Sequence, residues 1–161
     1  MVDHSAFELN SAATDAVIEE LHIGLGEDVF LVGLFANHHG KRRNIPIVRF
    51  GNIAAMREEH VNTKSGDMDV YLIEARSIGG LSGSPVFVHL GNQRRVGNNQ
   101  VMHANSPEGV FYLLGLMHGH WDVDESKIDG TADVKGTGKV NMGIAMVVPV
   151  QNLWKLSNNQ R

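Results

Sequence analysis

The sequence has 161 residues, of which 42% are hydrophobic and 20% charged, and its formal net charge is −4 at pH 7. A chain of this length fits one globular domain that buries roughly 68–70% of its unfolded surface. The charge balance gives little support for nucleic-acid binding, and the lack of cysteine excludes disulfides and thiolate metal sites.

The N-terminal sequence MVDHSAFELN has no basic region followed by an apolar one, so it does not resemble a secretory signal. No apolar run reaches the length of a membrane span. We therefore expect no membrane partner, and a cytoplasmic location if residue 1 is the true amino terminus. Over residues 11–23, Ala13, Val17, Ile18 and Leu21 share one face of a predicted short helix that ends at Gly24.

Everything after that helix predicts β-structure. Six apolar runs follow, each rich in Val, Ile, Phe or Tyr and bounded by Gly, Asn or charged residues. They span residues 29–35, 47–56, 70–76, 84–90, 110–121 and 142–150. Several short strands without long helices between them indicate a barrel or a sandwich.

Two polar stretches, 91–107 and 122–140, are predicted to be long surface loops, the second of them mobile. The last twelve residues, 150–161, place Leu153, Trp154 and Leu156 at spacings that favour a short C-terminal helix.

The sequence GGLSGSPVFV, residues 79–88, places Ser82 among small residues directly before a predicted strand. A nucleophilic serine needs an exposed turn and nearby backbone N–H groups that face the developing oxyanion. The nucleophile elbow of α/β-hydrolases is excluded, because Ser84 replaces its final glycine and a strand follows instead of a helix. The alternative is a purely structural β-turn, for which this composition is also suitable.

The segment from Gly80 to Pro85 resembles the Gly-Asp-Ser-Gly-Gly-Pro turn of the trypsin-like serine peptidases, with Leu81 and Ser84 as departures. The apolar segments around it are similar, in the same order, to the second barrel of that family over about residues 27–156. The resemblance implies an all-β fold, a six-stranded antiparallel barrel of the chymotrypsin type with a short C-terminal helix. Residues 28–161 would form this barrel, and residues 1–27 would be a connector with a short helix.

The same resemblance implies peptide-bond hydrolysis on a peptide or protein substrate, with Ser82 as the nucleophile. The backbone N–H groups of Gly80 and Ser82 would form the oxyanion hole. Arg76 falls near the base of the specificity pocket, and its wall would carry His118, Gly119 and His120. A solvent-facing role for Arg76 is the alternative.

The family takes its catalytic histidine and aspartate from a first barrel, which precedes the region that is matched here. We therefore expect the chain to be nearly inactive alone, because a triad that lacks a member loses orders of magnitude in rate. Two interpretations stay open: a truncated peptidase, or a non-catalytic binding module derived from one. In both, the face that meets the first barrel would be exposed, which predicts self-association or an upstream barrel as partner.

Nine histidines raise the alternative of a metal site. His118 and His120 would lie on one side of a strand, and His38 and His39 could add a ligand. Because residues 38 and 39 fall in the polar segment ANHHGKRRN, solvated loop histidines are the simpler interpretation. We therefore expect no metal and no cofactor.

Overall fold

The computed structural model describes residues 11–34, 43–63, 66–75, 81–96, 100–104, 109–124 and 139–153. Within these ranges the chain forms one helix, ten strands and a helical turn at 150–153. The elements are α1 (Asp15–Glu20), β1 (Asp28–Leu34), β2 (Pro46–Ala55), β3 (Val61–Thr63), β4 (Gly66–Met68), β5 (Tyr71–Ala75), β6 (Pro85–His89), β7 (Gln93–Val96), β8 (Gln100–His103), β9 (Phe111–Asp124) and β10 (Lys139–Pro149).

Six of the strands close into an antiparallel barrel with the spatial order β1-β2-β5-β10-β9-β6. Closure comes from β1, which pairs with β2 on one side and with β6 on the other. The order β6-β1-β2-β5 is a Greek key, because the fourth barrel strand returns to lie beside the first. The predicted six-stranded antiparallel barrel is therefore confirmed.

The barrel interior is filled by apolar side chains that alternate with outward residues along each strand. In β6, for example, Val86 and Val88 are fully buried whereas Pro85, Phe87 and His89 are only partly buried. The largest side chains of this core are Leu31, Ile53, Tyr71, Ile73, Leu114 and Met117. Burial of such side chains contributes about 1.5–3 kcal/mol each and is the main stabilising term of the barrel.

The six predicted apolar runs coincide with the six barrel strands to within about three residues at most ends. Both predicted polar loops were partly wrong. The stretch 91–107 contains the hairpin formed by β7 and β8, and β9 and β10 extend to Asp124 and from Lys139 into the stretch 122–140. The short hairpin of β3 and β4 was not predicted either.

The predicted helix is present but shorter than residues 11–23. Thr14 caps it by accepting a hydrogen bond from the Val17 N–H, and it ends before His22, whose φ of 51° is incompatible with a continuing helix. The buried Ala13 donates its N–H to the carbonyl of Leu113 in β9, so the segment before the helix is fixed on the barrel.

A second contact joins the helix end to the β7–β8 hairpin. The Arg94 guanidinium donates to the carbonyls of Leu21, at 2.7 Å, and His22, at 2.5 Å. It also forms an ion pair of 2.5 Å with Glu27. Because a guanidinium has five donors in a rigid fork, one side chain satisfies both carbonyls at the helix end.

Arg57, which follows β2, is the centre of a polar cluster. Its guanidinium forms ion pairs with Asp15 of α1 and with Asp69, the latter at 2.6 Å, and it lies 5.0 Å from the centroid of the Tyr71 ring. Gln151 in the helical turn donates to Asp15 at 2.7 Å. These contacts join α1, the segment after β2 and the end of β10.

A partly exposed aromatic face lies on the outer surface of four barrel strands. Its four rings come from Phe30, Phe50, Phe87 and Phe111, with centroids 5.0–6.3 Å apart. Phe50 is 76% exposed, and the neighbouring Val48 is 52% exposed. We call these five residues the aromatic face. Contiguous exposed apolar surface of this kind typically marks an interaction site.

No helix among the described residues is long and apolar enough to cross a membrane.

The Arg57 cluster predicts a measurable contribution to stability. We expect Arg57→Met to lower the free energy of unfolding by about 1–3 kcal/mol, since it leaves Asp69 without its partner and removes the contact with Tyr71. The ion pair between Arg57 and Asp15 contributes little to the free energy of unfolding, because the Asp15 side chain is 66% exposed. Urea denaturation measures the loss. Arg43→Met, at an exposed position, is the control and should change stability by less than about 0.5 kcal/mol. Equal stability of the two variants would contradict the role of Arg57.

Candidate functional site

Ser82 lies at the corner of a tight turn directly before β6. The Ser84 N–H donates to the carbonyl of Leu81 at 3.0 Å, and Gly83 has a φ of +82°. This pattern matches a type II turn, in which the third residue needs a positive φ and is usually glycine. Ser82 and Gly83 occupy the second and third positions and are exposed, whereas Leu81 and Ser84, the first and fourth residues, are buried, at 3% and 9% exposure.

Two backbone hydrogen bonds fix the turn on β9. The Gly83 N–H donates to the carbonyl of Met117 at 2.7 Å, and the Met117 N–H donates to the carbonyl of Ser84 at 2.9 Å. Because β9 is paired with both β6 and β10, this anchoring point belongs to the rigid barrel. The position of Ser82 is therefore determined by the barrel and not by a free loop.

Gly33 of β1 provides the space for the buried side of the turn. A Cβ atom at this position would collide with the Ser84 Oγ and would lie 2.7 Å from Leu81 Cδ2. Glycine is thus required here by a close approach between β1 and the turn. The turn is held from two sides, by hydrogen bonds to β9 and by packing on β1.

Only some of the other predicted site residues belong to the described part of the chain. Gly80 and Arg76 lie outside the described residues, so the predicted oxyanion hole and pocket base stay predictions. His118 is exposed and directly follows Met117, which places it beside the serine turn. Gly119 is partly buried on the same strand, and His120 follows it, with a side chain outside the described ones.

The described residues supply no triad around Ser82. No histidine or carboxylate among them forms a hydrogen bond with the Ser82 hydroxyl. In that part of the chain no group of three or more His, Asp or Glu residues is arranged to hold a metal ion, and His38 and His39 fall outside it. The site therefore consists of an exposed hydroxyl on a fixed turn, without a visible base.

Among the described residues, the turn holds the Ser82 hydroxyl at a fixed position and no side chain hydrogen-bonds to it. A serine hydroxyl is a weak nucleophile until an adjacent base accepts its proton. The sequence predicted a turn at Ser82 but did not point to Gly33 and Met117 as the residues that hold it. Gly33 carried a usable signal, because an isolated glycine inside a predicted strand often marks a close backbone approach.

No protein-family model matches the chain, and neither the curated proteins nor the solved structures include a significant match.

Gly33→Ala tests the packing of the serine turn. We expect it to lower the free energy of unfolding by about 1–3 kcal/mol, because its methyl group would displace Ser84 and Leu81 from a filled space. Amide shifts of residues 81–84, measured by NMR, should change as well. Gly24→Ala is the control, since a Cβ there would meet nothing within 4 Å. A Gly33→Ala variant with unchanged stability and unchanged turn shifts would contradict this account.

Proposed function

We propose that this chain is the nucleophile-bearing barrel of a trypsin-like serine peptidase, in which Ser82 attacks the carbonyl carbon of a peptide bond. The observation that carries the proposal is the arrangement of the turn. Ser82 and Gly83 are exposed between the buried Leu81 and Ser84, Ser82 is the one of the two with a side chain, and both sides of the turn are attached to the barrel. A purely structural turn does not require its corner residue to carry a hydroxyl, and the fixed position suits a nucleophile that must meet a substrate with defined geometry.

The architecture supports the same proposal. The resemblance implies a six-stranded antiparallel barrel, and a closed barrel of this kind is present, with Ser82 directly before its fourth strand. The chymotrypsin type is part of the proposal, and it rests on the sequence GGLSGSPVFV together with the matching order of the strands.

In the proposed mechanism the chain supplies the nucleophile and the electrostatic stabilisation. Ser82 Oγ would form the bond to the substrate carbonyl, whose oxygen would become the oxyanion. The backbone N–H groups of Gly80 and Ser82 would donate to that oxygen, an interaction whose loss typically costs 10²–10³-fold in rate. The proton of Ser82 must pass to a histidine, which we assign to a polypeptide region outside these 161 residues. That histidine would give the proton to the leaving amine as the peptide C–N bond breaks, and water would then hydrolyse the ester on Ser82.

The aromatic face is the surface that we assign to this base-bearing region. Phe87 follows Ser82 by five residues along β6, a distance of roughly 17 Å or less at about 3.3 Å per residue. The serine turn is therefore within reach of a folded partner that covers this face. The five side chains of the face carry no charge, so the partner surface should be apolar and uncharged, as the core of a stable protein interface is.

An active-site probe tests the nucleophile. In the full product of the native gene, we expect a fluorophosphonate to label Ser82, because the phosphorus atom reacts with an activated serine oxygen. The 161-residue chain alone should react far more slowly, since in this proposal the base belongs to the other region. Mass spectrometry of the labelled peptide identifies the residue. Ser82→Ala should abolish labelling, and the matched variant Ser84→Ala, in the same turn, should retain it.

Two results of this labelling experiment would contradict the proposal. Equal labelling of the full gene product and its Ser82→Ala variant would exclude Ser82 as the nucleophile. If the folded full product is not labelled at all, the chain is better described as a non-catalytic binding module.

A charge on the aromatic face should weaken the contact between this barrel and the base-bearing region. We expect Phe50→Lys to reduce labelling of Ser82 by at least about tenfold in the full gene product, because buried aromatic contacts dominate interface energies. The thermal stability of the 161-residue chain should stay unchanged, since Phe50 is 76% exposed there. The matched control is Leu25→Lys, at a residue that is 68% exposed and lies outside the face.

If Ser82 is labelled as fast in the Phe50→Lys variant as in the wild type, this assignment of the face is contradicted. Sedimentation data in which the full gene product self-associates and Phe50→Lys abolishes that association would also contradict it, because a second copy would then cover the face.

A further inference from the structure

Arg49 is a charged residue on the inner face of the barrel. In the pairing of β1 with β2 it lies directly opposite Leu31, which is fully buried. Directly opposite residues of an antiparallel pair point to the same side of the sheet, so Arg49 points inward. Its neighbours Val48 and Phe50 point outward and belong to the aromatic face. An arginine is rarely directed into an apolar interior unless its charge has a partner.

The described part of the chain gives this cation no partner. Arg49 Nε is buried and forms no hydrogen bond, and no carboxylate among the described residues forms an ion pair with this side chain. The two terminal nitrogens are not among the buried unpaired atoms, so they reach the surface. The side chain is therefore buried up to Nε, and the two terminal nitrogens are the donors that a ligand can reach.

Arg49 lies at the end of the barrel that carries the serine turn. Gly33 is its diagonal neighbour on β1, with roughly 7–8 Å between the two Cα atoms. Gly33 in turn lies against Leu81 and Ser84 of the turn. Ser82 follows within two residues, so its Cα lies at most about 20 Å from that of Arg49. The side chains of Arg49, of a bound acidic residue and of Ser82 can together span this distance.

The surroundings of Arg49 favour an anion as its ligand. The inward residues nearest to it in the strand pairings, Leu31 and Ala75, are apolar and at most 4% exposed. The carboxylate of β5, Glu74, lies on the outer face and is exposed. Apolar walls strengthen the attraction between a guanidinium and an anion, and the planar guanidinium matches the two oxygens of a carboxylate.

We propose that Arg49 binds a carboxylate of the substrate close to the bond that Ser82 attacks. Each terminal nitrogen of the guanidinium would donate to one carboxylate oxygen. The identification of the ligand as a substrate rests on the proposed function, whereas binding of a carboxylate to Arg49 requires no catalysis. The carboxylate has two possible sources, an acidic side chain or the carboxyl terminus of a peptide.

Titration of the folded 161-residue chain with N-acetyl-glutamic acid α-amide, followed by NMR, tests the site. We expect saturable binding with a dissociation constant in roughly the millimolar range, as a ligand of this size permits. Shifts should be largest at residues 31–33, 48–50 and 81–84. N-acetyl-glutamine amide has the same shape without the charge and should bind at least about threefold more weakly.

N-acetyl-glutamine with a free α-carboxylate separates the two sources. It is an isomer of N-acetyl-glutamic acid α-amide and carries its single charge at the carboxyl terminus. Weaker binding of this isomer would support an acidic side chain as the ligand. Tighter binding would support a peptide carboxyl terminus.

Three variants assign the binding to Arg49. Arg49→Met removes the charge and should make the charged and neutral ligands bind equally, and the variant should fold because an apolar side chain of similar length fits an apolar interior. Arg49→Lys keeps the charge but loses the planar pair of donors, so it should weaken binding of the charged ligand by about 2–5-fold. The control Arg43→Met, at an exposed arginine, should leave binding unchanged.

The full gene product tests the role of the site in cleavage. For two substrates that differ only in the carboxylate identified by the titrations, Arg49→Met should lower the ratio of their kcat/KM values by at least about tenfold. An unchanged ratio would contradict a role in substrate choice.

Failure of this inference can be told from failure of the proposed function. If Ser82 is labelled by the fluorophosphonate but the wild-type chain binds the charged and neutral ligands equally, only the carboxylate site is overturned. The site is equally overturned if Arg49→Met, shown to be folded by its amide spectrum, still prefers the charged ligand. If Ser82 is not labelled but binding depends on Arg49, the carboxylate site is supported and the peptidase assignment fails.

Discussion

The pairing of β1 with β6 is the interaction on which the rest of the structure depends. It closes the barrel, and in register it joins Asp28–Leu31 to Val86–His89. Closure removes every free edge from the six strands, so that their backbone groups are paired within the barrel. It also brings Gly33 under the turn that precedes β6, because the turn continues directly into the strand that β1 holds. Without this pairing the turn would keep its hydrogen bonds to β9 but would lose its packing on Gly33.

The same closure explains where the exposed features lie. Alternation along β1, β2 and β6 sends Val29, Leu31, Val86 and Val88 inward and therefore presents three phenylalanine rings on the outside. The aromatic face and the serine turn thus share β6. A single strand connects the proposed nucleophile to the surface where we place the partner that would activate it.

The sequence predicted the barrel strands well because their apolar runs are long and bounded by turn residues. It failed at Gln93–Val96 and Gln100–His103, since these strands are largely polar and pair only with each other. The turn at Ser82 could be predicted from its local sequence, whereas the role of Ser82 as a nucleophile stays a prediction. The isolated Gly33 signals a close approach, but the sequence does not show that its partner is this turn, because Gly33 and Met117 are 49 and 35 residues away from Ser82. The contact between Arg57 and Asp15 was equally inaccessible, since 42 residues separate them.

The central claim is that Ser82 is the nucleophile of a peptidase, and the most direct test is peptide-bond cleavage itself. Mass spectrometry of an unfolded protein substrate, incubated with the full product of the native gene, would detect new termini. We predict cleavage that falls by several orders of magnitude in Ser82→Ala, as removal of a catalytic serine requires. Cleavage at the same rate by wild type and variant, or no cleavage by the folded wild-type protein, would contradict the account.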